Sequence, residues 1–159
     1  MASVRDFPAR GKVLSASGGV IVFNPQNTTY ELHLAAAGGE YRGAVGRTVE
    51  GIIRAKARKI WTVPSGGNFI APIFGPPKTI QGRAKLVEER LVVIQAGTHI
   101  AVEVPEEGFK IELPKGPIGG GALVNAIVFP GATFELLETE GVGVGPDDQG
   151  PGVAANTSL

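Results

Sequence analysis

The sequence predicts an all-β chain, a single domain of short antiparallel strands closed as a small barrel or packed as a sandwich. Three observations point there. Apolar and polar residues alternate in several short runs, as at Tyr30-Glu31-Leu32-His33-Leu34, the signature of a half-buried antiparallel strand. The 24 glycines and 12 prolines among 159 residues fall between those runs, where a turn-rich β protein needs them. A strand-turn-strand pattern also recurs. TVEGIIRAKARKIWTVPSGGNFIAPIF and TIQGRAKLVEERLVVIQAGTHIAVEVP align without a gap, so that Gly51 meets Gly82 and Gly66 meets Gly97. Residues 48–74 and 79–105 each read as a strand-turn-strand hairpin unit, either two copies of one unit or two hairpins alike because every hairpin needs the same parts.

Taken in order, residues 1–10 read as an N-terminal arm without periodicity. The β domain is expected over 11–140. Lys12–Leu14 and Val20–Phe23 are short strands around a Ser-Ala-Ser-Gly-Gly loop, and Asn24-Pro25-Gln26-Asn27 is a turn. Thr28–Leu34 is a strand and 35–46 a loop. Thr48–Val63 is the longest strand candidate. Its odd positions are apolar apart from Lys59, and its even positions carry Arg54, Lys56 and Arg58. On that parity Trp61 faces the core. Gly51 marks a bend or bulge. A helix over Ile52–Trp61 would also gather Ile53, Ala57 and Ile60 on a stripe, but Gly51 and Pro64 leave it little room. Further strands are expected at Phe69–Phe74, Thr79–Leu86, Arg90–Gln95, His99–Glu103, 109–113, Ala122–Phe129 and Ala132–Leu137. Residues 141–159, GVGVGPDDQGPGVAANTSL, have nothing to bury and are expected to form a disordered tail.

The absence of Cys excludes disulfides, Cys-ligated metals and thiol nucleophiles. It fits a reducing compartment. With no apolar segment of signal-peptide or membrane-helix type, a cytoplasmic location is expected. Lys plus Arg equals Asp plus Glu at 15 each, so net charge draws the chain to neither nucleic acid nor membrane. The distribution is uneven: residues 1–60 carry nine cations against four acids, leaving −5 for the remainder.

Catalysis needs convergent ionisable groups, and this chain offers few. Asp occurs only at 6, 147 and 148, and His only at 33 and 99. Both histidines read as solvated surface residues. No nucleophile elbow or phosphate-binding glycine run occurs. No enzyme activity, metal or cofactor is expected.

Two stretches carry candidate contacts. Arg54, Lys56, Arg58, Lys59 and Trp61 form a basic strand whose alternate residues, about 6–7 Å apart, could follow acidic groups or a phosphate backbone. Phe69, Ile70, Ile73 and Phe74 lie in the uncharged, proline-rich PSGGNFIAPIFGPP and suit an apolar contact surface. TVEGIIRAK and TIQGRAKLVEERLVVIQAGTHI superficially resemble the rungs of bactofilin-type β-solenoids, which polymerise. The rung period is irregular, Pro64, Pro72, Pro76 and Pro77 interrupt it, and no residue role follows. The leading expectation is a non-catalytic scaffold module that self-associates or binds another protein. The alternative is an OB-like barrel that binds single-stranded nucleic acid through residues 54–59. A small-molecule pocket in the barrel mouth is a third reading. No membrane contact is expected.

Overall fold

The computed structural model describes residues 2–104 and 120–137. The strand expected at 109–113 and the tail at 141–159 lie outside them. Eleven strands occur among the described residues: β1 Ala9–Ser17, β2 Val20–Pro25, β3 Glu31–Ala36, β4 Thr48–Thr62, β5 Phe69–Ala71, β6 Phe74–Gly75, β7 Thr79–Glu88, β8 Leu91–Gln95, β9 His99–Glu103, β10 Leu123–Val128 and β11 Thr133–Leu136. Two short 3-10 turns, Val4–Asp6 and Ala37–Gly39, are the only helical segments among them. The all-β expectation holds, and the helix over 52–61 does not form. No helix of the described residues is long and apolar enough to cross a membrane.

The strand pairings close two five-membered rings that share β4. In the first ring β1 pairs β2, β2 pairs β3, β3 runs parallel to β11, and β11 and β1 both pair β4 antiparallel. In the second, β7 pairs β8, β8 pairs β9, β9 runs parallel to β4, and β10 pairs both β4 and β7 antiparallel. The first ring uses residues 48–54 of β4 and the second uses 54–62. Antiparallel hairpins closed on a shared strand are not the stacked rungs of a solenoid.

Two hairpins of matching register do occur, but elsewhere in the chain than expected. β4 does not pair with β5, so 48–74 is no hairpin; β5 pairs β7 instead. The true copies are the hairpins β1–β2 and β7–β8. Val13 opposes Phe23, Ser15 opposes Val22, and Ser17 opposes Val20. Ala84 opposes Ile94, Leu86 opposes Val93, and Glu88 opposes Leu91. Every one of these positions is shifted by 71, from Gly11 to Gly82, and both first strands bulge at the same place, at Leu14 and Lys85. The copies then continue into β4 and β10: Gly11 opposes Val49 and Gly82 opposes Val124. Each copy gives its last strand to the other ring, since the second half of β4 completes the second ring and β11 completes the first.

The leading segments cross over as well. Val4 and Phe7 pack over a small outer cluster of Ile52, Val93 and Ala101 on the second ring. Ile73–Phe74 leads the second copy and lies along β3 of the first ring, where β6 pairs Glu31 and Leu32. Residues 3–8 are thus a docked element, not a free arm, because Val4 and Phe7 have apolar surface to cover. Arg5 reinforces the dock with an ion pair to Glu135 at 3.1 Å.

One core runs through both rings. Val13, Phe23, Leu32 and Phe134 of the first ring join Ile80, Ile94, Ile100 and Val124 of the second in a single cluster, each at 1% exposure or less. Each such residue contributes about 1.5–3 kcal/mol by burial. Phe134 lies over Gly51, where a Cβ would overlap its ring. Gly51 therefore makes room for an aromatic side chain; the bulge expected there occurs further on, at Arg58, between the Lys59–Ile127 and Ala57–Val128 pairs.

Gly11 and Gly82 show what holds the hairpins. A Cβ on Gly82 would overlap the backbone carbonyl of Gln95, and one on Gly11 that of Asn24. Backbone in a ladder cannot step aside as a side-chain tip can. Gly82→Ala should therefore cost about 2–3 kcal/mol or more, measured by urea unfolding. Gly67→Ala, where a Cβ would meet nothing within 4 Å, should change stability by less than about 1 kcal/mol.

Candidate functional site

The basic strand is built by β4 and its bulge. Up to Ala57 the odd residues point inward: Val49, Ile53, Ala55 and Ala57 are all buried. Arg58 is then the extra residue that opposes nothing on β10. An extra residue in one strand shifts side-chain parity. Beyond it Ile60 is the buried residue, and Lys59 and Trp61 turn outward. The expectation that Trp61 faces the core is corrected, because a bulge is invisible to simple alternation. Arg54, Lys56, Arg58, Lys59 and Trp61 thus share the outer surface, with Lys56, Arg58 and Lys59 exposed and Trp61 half-buried.

Their partners differ. Arg54 donates to Glu135 of its own chain at 3.3 Å, and Glu135 also accepts from Arg5. Lys56 lies beside Glu103 across the parallel β4–β9 pair. Arg10 meets Glu50 at 2.9 Å. Arg54 and Lys56 of the basic half thus stand against Glu135 and Glu103 of the acidic half. Arg58 and Lys59 take no part in the ion pairs of the described residues.

Across β10 the outer face continues. Trp61 opposes Asn125, Asn125 opposes Gln81, and Gln81 opposes Phe69 of β5. One row of four strands therefore reads aromatic, amide, amide, aromatic. Gln81 Nε2 donates to the carbonyl of Gly67 at 2.9 Å, tying the 64–68 loop to the row. Asn125 Oδ1 is buried without a hydrogen-bond partner among the described residues. Neither amide was singled out from sequence, since nothing local marks Asn125 or Gln81; only the registers bring them between the two rings.

The apolar stretch divides. Phe69 is 37% exposed, Ile73 59% and Phe74 64%. Ile70 is a core residue at 2%, held by a hydrogen bond from its amide to Tyr30 Oη at 3.2 Å, and is no contact residue. Phe69 lies on β5 against the second ring, whereas Ile73 and Phe74 lie against the first. The structure does not bring the three together on one patch of sheet.

The histidines are not solvated surface residues. His33 is half-buried, with Phe74 edge-on at 4.7 Å and Nε2 buried without a partner. His99 is also half-buried, with Phe7 edge-on at 5.5 Å and Nδ1 at 3.1 Å from the carbonyl oxygen of Pro8. They lie on β3 and β9, in different rings. Burial pushes the Tyr41 phenol up to about 12, where it donates to the carbonyl of Ala44 and faces Phe134. No group of three or more His, Cys, Asp or Glu that could hold a metal ion occurs among the described residues. The ring interiors are filled by the core, and a cavity of 220 Å³ at the β1–β2 turn of the first ring is lined by residues 16–21 with Glu40 and Tyr41. The cavities near the basic strand lie outside, at the ring junction. One of 370 Å³ is lined by Lys56, Ala57, Arg90, Glu103, Val104 and Phe129. A second of 200 Å³ lies on the other side of Lys56, towards Arg54 and Thr133.

The outward turn of Trp61 has a direct optical test, since it is the chain's one tryptophan. Iodide should quench its fluorescence more strongly than caesium, because cations around the ring concentrate the anion. Equal and weak quenching by both ions would place Trp61 inside.

No protein-family model matches this chain, and no curated protein or solved structure is significantly similar to it.

Proposed function

We propose that the protein is a non-catalytic association module that pairs with a second copy through the outer face of β2, β3 and β6. The observation that carries this reading is the exposure of Ile73 and Phe74, at 59% and 64%, beside Val20 at 49%. Val22 opposes His33, whose ring meets Phe74, so the residues form one patch. The equivalent face of the second ring is sealed by Val4 and Phe7, leaving Val93 1% and Ala101 3% exposed. The first ring has its own leading segment in place, yet that segment's large side chains remain in water. A contiguous exposed apolar patch is the usual mark of a contact surface. Lys12 on β1 and Glu31 on β3 flank it. A two-fold arrangement can set Lys12 of one copy against Glu31 of the other, which favours a second copy as the partner. The non-catalytic part is supported by the separation of His33 and His99, each packed against a phenylalanine.

Sedimentation equilibrium tests the reading. The wild-type chain should show a dimer whose mass is insensitive to moderate salt, since apolar contact dominates. Ile73→Asp with Phe74→Asp should leave a monomer of nearly unchanged thermal stability, because exposed substitutions cost within about 0.5 kcal/mol. A wild-type monomer at high concentration would contradict it.

A further inference from the structure

We infer that the outer face of β4, β10, β7 and β5 on the second ring is a binding platform for single-stranded nucleic acid. The platform is distinct from the apolar face of the first ring, and its test does not depend on that face.

Charge is the first ground. From Gly51 to Val87 the chain holds seven cations and no carboxylate: Arg54, Lys56, Arg58, Lys59, Lys78, Arg83 and Lys85. The whole of β5, the second half of β4 and most of β7 come from this stretch, and β10 between them carries no charge at all. Folding therefore gathers these cations on one patch of sheet, where the acids of the described residues stand at the margin, Glu135 on Arg54 and Glu103 beside Lys56. Only Arg54 of the seven forms an ion pair among those of the described residues. The chain's overall neutrality conceals this clustering. Clustered cations release counterions when they meet phosphates, and that release drives binding to nucleic acid.

The aromatic row is the second ground. Trp61 and Phe69 stand at the two ends of the row through Asn125 and Gln81. Three strand spacings separate them, about 14 Å. Lys59 lies one step from Trp61 on the same face, and Arg83 one step from Gln81. Two separated rings with cations beside their row suit bases that stack singly while their phosphates follow the charges. Only unpaired bases can offer a face to either ring, so the ligand is a single strand. A carboxylate-rich protein could meet the cations but would leave the rings unused.

The bulge at Arg58 creates the site. Without it Lys59 and Trp61 would face the core, and Arg58 would not add its charge beside Lys59. A residue inserted or deleted within 57–59 would turn Lys59 and Trp61 inward and remove the β4 end of the row.

The test uses the full chain and fluorescently labelled oligothymidylate and oligouridylate of about 15 nucleotides, within the range of one such domain. Anisotropy at low salt should give a dissociation constant in the micromolar range that weakens steeply as salt rises. The DNA and RNA arms tell which strand type is preferred; binding by either supports the platform. Trp61→Ala should weaken binding about tenfold, and Trp61→Phe should restore most of it. Arg58→Glu with Lys59→Glu should abolish binding. Ile73→Asp with Phe74→Asp should leave it unchanged, which separates this face from the dimer contact. Circular dichroism confirms that each outward-facing variant keeps its strands. No binding by wild type up to about 100 µM, the weak limit of non-specific association, would overturn the platform. Equal affinity for a duplex, or full affinity in Trp61→Ala, would also overturn it. Capture of an acidic protein instead of either oligonucleotide would assign the cations to a protein partner and overturn it as well.

Discussion

The fold depends on one strand serving two rings. β4 is 15 residues long, and its two halves do different work. The first half closes β1, β2, β3 and β11; the second closes β7, β8, β9 and β10. A continuous strand can join two rings only if its inward residues serve both cores. Val49, Ile53, Ala55, Ala57 and Ile60 do so, and all belong to the same buried cluster. The bulge at Arg58 lies in the half that serves the second ring and bends the strand there. Because the core is continuous through β4, neither ring has an independent interior.

The exchange of strands between the two matching units shapes the rest of the surface. Each copy lends its last strand and its leading segment to the other ring, so the copies cannot separate without breaking both. Equivalent faces have also diverged. The β8–β9 face is sealed by Val4 and Phe7, and the β2–β3 face keeps Phe74 and Ile73 in water. On the other side, the second ring presents Lys59, Trp61 and Phe69 outward. At the corresponding place in the first ring, Glu50 is paired with Arg10. One ring has become apolar outside and the other cationic and aromatic.

Much of the secondary structure was legible in the alternation of residues, because a half-buried sheet imposes period two on its sequence. Leu32 and Leu34 turn inward on β3 as expected, and the turn at Pro64-Ser65-Gly66-Gly67-Asn68 separates strands as its composition implies, whereas Asn24 and Pro25 still belong to β2 and the turn there begins at Gln26. The repeat was detected but misplaced. Gly51 and Gly82 align well by eye, yet Gly82 is the counterpart of Gly11, and Gly51 serves Phe134. Few identical residues survive between the true copies, so backbone register preserves the relation better than side chains do. The candidate site was legible as a set of cations, and its geometry was not. One bulge at Arg58 reverses Trp61, and Asn125 and Gln81 reach the site only through long-range pairing. Ile70 could not be told from Phe69 as a core residue, since both are apolar in an apolar run.

The central claim, that β4 makes the two rings one cooperative body, is tested most directly by native-state hydrogen exchange across a series of denaturant concentrations. The shared strand predicts that the slowest amides of β1–β2, of β4 and of β7–β8 open with one common free energy and one common denaturant dependence, that of global unfolding. A lower free energy and a smaller dependence for either hairpin alone would show that one ring opens while the other stays folded, and would contradict the claim.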